Sequence, residues 1–137
     1  MTKLKYVAEF EINASVKMLF PYLATPNGLS QWFAEKVDTI DPEEKIYDIV
    51  WDGTSHLAKL VSLQTNKHVK FCFFDNGDGL DNDSSYLEFK ISHNEMTEST
   101  FLKVIDFSEI GNEQDLKELW NNLIHSLLEL IGAKETT

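Results

Sequence analysis

The stretch Asn112 to Gly132, NEQDLKELWNNLIHSLLELIG, decides the fold. Its apolar residues are Leu116, Leu119, Trp120, Leu123, Ile124, Leu127, Leu130 and Ile131. At about 100° per residue they fall within an arc of about 140°, with Leu128 at its margin. Lys117, Glu118, Asn122, His125 and Glu129 lie outside that arc. The spacing predicts one long amphipathic helix, laid with its apolar side on a surface that the rest of the chain must supply.

That surface reads as a sheet. Lys3 to Asn13 alternates, with Leu4, Tyr6, Ala8, Phe10 and Ile12 on one face, which predicts a first strand. Ser15 is placed to cap a helix running through Leu23, whose apolar side is Val16, Leu19, Phe20 and Leu23. Pro21 lacks a backbone donor, so this helix should be kinked or short. Thr25-Pro26 restarts the chain as a cap followed by proline at the first helical position, and Gly28 to Phe33 is expected to complete a second short helix.

Strands are then expected at Ile46 to Trp51 and Ser55 to Leu63, around the tight-hairpin signal Asp52-Gly53. After a turn at Thr65-Asn66 come Val69 to Phe74, Tyr86 to Ser92 and Thr97 to Phe107. The order is a strand, two short helices, about six antiparallel strands and the long helix. This is an α+β domain with one sheet face covered by helix. No repeat or linker divides the 137 residues, so a single domain over 1–137 is expected, with its core at about 4–132.

Composition excludes several functions. The net charge is -11, and all 12 basic residues are lysines, with no arginine. A nucleic-acid partner would require a positive stripe, and an anionic membrane surface would repel this chain. Bidentate recognition of phosphate or carboxylate lacks its usual fork. No run reaches the ~20 apolar residues that span a bilayer, and no signal-peptide core follows Met1, so the expectation is a cytoplasmic protein. Cys72 stands alone, which rules out an intrachain disulfide and a cysteine-built zinc site.

Candidate chemistry is sparse. His56, His68, His93 and His125 lack close metal-ligand spacing and read as surface side chains. The acidic run Asp75 to Asp83 looks like a calcium loop but fails its pattern. Counted from Asp75, the sixth residue is Leu80 and the twelfth is Tyr86, where glycine and glutamate are needed. A solvated hairpin loop is expected there. Cys72 sits in an aromatic strand and reads as a packed side chain. No nucleophile elbow, phosphate loop or zinc-protease motif occurs, so no catalytic residue, metal or cofactor is assigned. The remaining signal is aromatic: nine Phe, four Tyr and three Trp, suited to an ordinary core or to an apolar cavity.

Three stretches, in order, carry a family resemblance. They are Glu9-Phe10-Glu11-Ile12-Asn13-Ala14-Ser15, then Thr25-Pro26-Asn27-Gly28-Leu29-Ser30-Gln31-Trp32-Phe33, and Leu119-Trp120 followed by Leu123, Leu127 and Ile131. Together they resemble the START-like (SRPBCC) superfamily, in its branch of activators of the ninety-kilodalton heat-shock chaperone, and most nearly its small stand-alone bacterial members. The resemblance implies the helix-grip fold, a curved antiparallel sheet of about six to seven strands wrapped on the C-terminal helix. Members bind lipids, sterols, polyketides or plant hormones, some catalyse cyclisation or dehydration, and some bind chaperones. This chain shows no recognisable cyclase acid-base set.

The expectation is therefore a small domain that binds an apolar or amphipathic molecule between sheet and helix. The residues expected to line the site are Trp32, Phe33, Trp51, Phe71, Phe73, Phe89, Leu119, Trp120, Leu123 and Leu127. The alternatives are a protein-interaction module, chaperone-linked or homodimeric, and, third, a cyclase or dehydratase. The balance leans away from an enzyme.

Overall fold

The computed structural model describes residues 3–74, 85–108 and 112–132. Seven strands form one antiparallel sheet: β1 (Leu4–Ile12), β2 (Lys36–Asp41), β3 (Ile46–Trp51), β4 (Thr54–Gln64), β5 (His68–Phe74), β6 (Tyr86–Asn94) and β7 (Ser99–Ser108). Helices α1 (Val16–Ala24) and α2 (Pro26–Leu29) follow β1, and α3 (Glu113–Ile131) closes the chain. The spatial order is β1-β7-β6-β5-β4-β3-β2, so the sheet is a meander whose last strand returns to pair with the first. The expected α+β architecture stands. β2 was not foreseen: Lys36 to Asp41 carries three charges and buries no residue, so it lacks the apolar alternation by which strands are recognised. The acidic run Asp75 to Ser84 lies outside the described residues.

Local chemistry fixes the elements. The β3–β4 hairpin turns through Asp52 (φ 51°) and Gly53 (φ 70°), the paired positive angles of the tight turn that matches strand twist. Register shifts at Ile40 in β2 and Val61 in β4 insert one residue against the neighbouring strand, which bends a sheet locally. Asn112 caps α3 by accepting from the Asp115 amide at 2.9 Å, and Gly132 ends it in the left-handed conformation.

The junction of α1 and α2 explains the Pro, Gly-Leu and paired-aromatic stretch in physical terms. Thr25 serves both helices. Its amide and hydroxyl donate to the Pro21 carbonyl, at 3.2 and 2.8 Å, while its Oγ1 accepts from the Gly28 amide at 2.9 Å. Pro21 sits inside α1, and the helix ends three residues later. A Cβ on Gly28 would lie 2.1 Å from the Pro21 carbonyl oxygen and 2.7 Å from Tyr22 Cα, so only glycine allows this approach. Helix α2 stops at Leu29, short of the expected Phe33. The chain goes on in tight turns, with the Phe33 and Ala34 amides both donating to the Leu29 carbonyl. This ending swings Trp32 inward, and its Nε1 donates to the Tyr22 carbonyl at 2.8 Å.

One face of the sheet packs on α3. Its inward residues include Tyr6 and Ile12 of β1, Ile49 of β3, Phe71 of β5, Phe89 of β6 and Val104 of β7. From α3 the core takes Leu116, Trp120, Ile124, Leu127 and Leu128. Leu119 and Leu130, placed in the apolar arc by spacing, are 39 % and 42 % exposed. The buried stripe is thus turned toward Leu128, because the helix meets the sheet along the line of Leu116, Trp120 and Ile124. Burying each such side chain is worth about 1.5–3 kcal/mol.

Gly28→Ala should cost about 3 kcal/mol through overpacking against backbone that cannot yield. Urea denaturation followed by circular dichroism measures it. A change below 0.5 kcal/mol, on the order of an ordinary surface substitution, would mean that the helices are not in contact there.

Candidate functional site

Trp120 stands at the centre of the inner layer. Its ring lies 5.9 Å from Phe33 in a stacked arrangement, 6.0 Å from Phe89 edge-on and 6.4 Å from Trp32. Trp32 in turn contacts Phe89 at 5.9 Å and Phe33 at 5.7 Å. Behind this cluster, Trp120 Nε1 donates to Asp106 Oδ2 of β7 at 2.8 Å. Both residues are buried, so this hydrogen bond joins helix to sheet without solvent competition. Burial pushes the Asp106 carboxyl above its ordinary range, and the bond from Trp120 opposes that in part.

A second aromatic group lies toward the β3–β4 hairpin. Trp51 contacts Phe33 at 5.7 Å and Phe73 at 5.6 Å, both edge-on, and stacks on the His56 imidazole at 3.6 Å with an interplanar angle of 13°. The register explains the neighbours. Trp51 pairs with Thr54 and Ile49 with His56, so Trp51 and His56 are diagonal residues on the inner face of one hairpin. Phe33, Trp51, Phe73 and Leu123 are only half-buried, although each packs on the core.

The expected lining residues therefore divide in three. Trp32, Phe71, Phe89, Trp120 and Leu127 are buried core side chains. Phe33, Trp51, Phe73 and Leu123 are partly buried side chains packed against the core. Leu119 is exposed and is not among the side chains packed on the core.

His56 was missed. It stacks on Trp51 and is not a plain surface histidine. Its Nε2 is shielded from solvent and has no hydrogen-bond partner among the described residues. Burial holds its pKa below the ordinary histidine value, against the opposing pull of Asp48 and Asp52. The signal was present in the sequence: the Asp52-Gly53 turn sets the hairpin register, and that register puts His56 beside Trp51.

His68 also departs from the surface reading. Its side chain is 17 % exposed, its Nε2 is hydrogen-bonded to Glu88, and its Nδ1 lies 3.2 Å from Ser62 Oγ. The group is on the outer face of the sheet, opposite α3, where His68 pairs with Lys90 and Lys90 with Lys103. A cleft of about 520 Å³ there is lined by Glu9, Gln64, Lys67, His68, Glu88, Lys90, Ser92 and Lys103 among others. His93 and His125 are exposed and lie beside Glu98 and Glu129, at 3.5 and 3.0 Å. Cys72 is half-buried, and burial pushes its thiol pKa up, which keeps it from acting as a ready nucleophile. Among the described residues no group of three His, Cys, Asp or Glu side chains could hold a metal ion, and no helix is long and apolar enough to cross a membrane.

A meandering antiparallel sheet with a C-terminal helix packed on one face defines a class. The chain belongs to the START-like superfamily, whose domain model matches residues 1–133. Among solved structures it is similar to protein MLL2253 from Mesorhizobium loti, at 17 % identity and a TM-score of 0.73, covering 94 % of this chain and 97 % of that one. The Aha1 dimer from Colwellia psychrerythraea is similar at 17 % identity and a TM-score of 0.67, with 93 % and 92 % covered. DynU16, from the dynemicin biosynthetic locus, gives 15 % identity and a TM-score of 0.72, with 93 % of this chain matching 47 % of that protein. At such identities the likeness is one of fold. No protein with a curated description matches the sequence.

The raised pKa of Asp106 has a signed consequence. The folded state holds this proton more tightly than the unfolded chain, where an aspartate titrates near ~3.9. Its stabilising contribution is full below that value and is lost as pH rises through the higher folded pKa. Asp106→Asn keeps an acceptor for Trp120 and cannot ionise. Urea midpoints measured from pH 3 to pH 7 should therefore rise for D106N relative to the parent as pH increases. Parallel profiles would show that the carboxylate is solvated.

Proposed function

We propose that this domain binds an apolar or amphipathic small molecule between the inner sheet face and α3, entering over the rim of Phe33, Trp51, Phe73 and Leu123. The observation that carries the reading is the contrast in burial within one aromatic cluster. Trp32, Phe89 and Trp120 are sealed, whereas the rings that continue toward the β3–β4 hairpin are left half-open. Half-open edge-on rings offer a flat ligand both apolar area and ring faces. Burial contributes about 25 cal/mol per Å², so a two-ring ligand hiding ~200 Å² of its surface gains about 5 kcal/mol before ordering costs. Membership of the START-like superfamily supports the same reading.

The enzyme alternative requires a positioned acid-base pair. At this rim His56 is the shifted titratable group, and among the described residues it has no hydrogen-bonded carboxylate. The interaction-module alternative draws on the similarity to the Aha1 dimer and on exposed apolar side chains, Met18 at 51 % and Ile40 at 57 %. Sedimentation velocity separates it from the main proposal. A monomer at micromolar concentration counts against a homodimer, and a concentration-dependent dimer supports one.

The neutral apolar dye N-phenyl-1-naphthylamine tests the main proposal by fluorescence titration. Saturable one-to-one binding is expected. Trp51→Leu should weaken it about tenfold, equal to about 1.4 kcal/mol and within the range of one lost aromatic contact. Leu130→Ser, on the exposed side of α3, should leave it unchanged. Equal affinities for parent and W51L, or no saturation, would reject the site.

A further inference from the structure

We infer that His56 is the polar anchor of the rim, and that the molecule bound there presents a neutral hydroxyl group, as a phenol or an alcohol on an apolar frame does. The inference rests on the ligand-binding reading above and narrows it to a chemical class.

Three observations carry it. The imidazole is held in place, face to face with the Trp51 indole at 3.6 Å, on a hairpin whose register places both rings on the inner face. Its Nε2 is out of reach of solvent and lacks a partner among the described residues. Buried polar atoms in folded proteins are almost always satisfied; of the three left without a partner among the described residues, Asp48 Oδ1, His56 Nε2 and Ser108 Oγ, that of His56 is the one in a ring stacked on the aromatic group. Third, the charged groups that act on it are the carboxylates Asp48 and Asp52.

Those carboxylates decide the class. An anionic ligand would enter the field of Asp52 at the turn and of Asp48 on the opposite sheet face, beside an imidazole that burial keeps neutral, in a chain without arginine. A cationic ammonium only donates, so it would satisfy Nε2 in one imidazole tautomer alone. A hydroxyl carries neither cost. It both donates and accepts, so it satisfies Nε2 in either imidazole tautomer, whereas a ketone or ether oxygen fits only the tautomer that bears its proton on Nε2. The aromatic neighbours then cover the remainder of the molecule.

Isothermal titration with naphthalene, 2-naphthol and 2-naphthoate tests the assignment, because the three share a frame and differ in the polar group. The parent protein should bind 2-naphthol at least tenfold more tightly than naphthalene, with 2-naphthoate weakest. His56→Phe keeps a ring to stack on Trp51 and should bind naphthalene as before while losing the preference for 2-naphthol. His56→Gln, which retains hydrogen-bonding capacity, should keep a preference. In the parent, the ¹⁵N resonance of His56 Nε2 should shift on adding 2-naphthol and stay in place on adding naphthalene, a readout that needs no variant. Equal affinity of the parent for naphthalene and 2-naphthol, a preference undiminished in H56F, or tighter binding of 2-naphthoate would each overturn the role of His56 while leaving the apolar site intact. Failure of all three compounds to bind would remove the site and the anchor together.

Discussion

A single buried hydrogen bond, from the Trp120 indole to the Asp106 carboxylate, sets the position of α3 on the sheet. Apolar packing alone would let an amphipathic helix slide or rotate, since leucines are interchangeable to a surface of leucines and phenylalanines. A buried carboxylate that must be satisfied allows one arrangement, because any slip of the helix leaves both partners stranded at a cost of about 1–3 kcal/mol each. With Trp120 fixed, Phe33 stacks on it, Phe89 meets its edge, and Trp32 closes the third side. The α1–α2 junction then has to deliver Trp32 and Phe33 to those places, which is why Gly28 is pressed against the Pro21 carbonyl.

Much of this was legible in the residues. The caps Ser15, Thr25 and Asn112, the Asp52-Gly53 turn and the terminal helix follow from local chemistry that acts within a few residues. β2 was not legible, since a strand held at a sheet edge by backbone pairing to β3 needs no apolar pattern of its own. The turn of α3 was only partly legible. Helical spacing places Leu119 and Leu128 at opposite ends of one arc, and choosing between them depends on where Asp106 sits. That position belongs to a strand far away in sequence.

The candidate site follows the same division. Composition marked the aromatic residues but could not say which would be sealed and which half-buried, because burial depends on strand register and on where α3 packs. His56 and His68 carry identical chemistry in the sequence. The register makes one a neighbour of Trp51 on the inner face and the other a partner of Glu88 on the outer face. Residue type gave the material, and strand pairing assigned the roles.

The sheet order also governs how the molecule is assembled. β1 precedes the other strands in the chain, yet its neighbour is β7, so Leu4 must find Ser108 and Ile12 must find Thr100 across the intervening strands. Strands β2 to β7 form by successive local hairpins, while the first strand waits for the second-to-last element before it can pair. Closing so large a loop late is entropically costly and slows folding. Until then β7 keeps an open edge, and the alternating charges Lys5, Glu9 and Glu11 on the waiting strand help to keep it soluble.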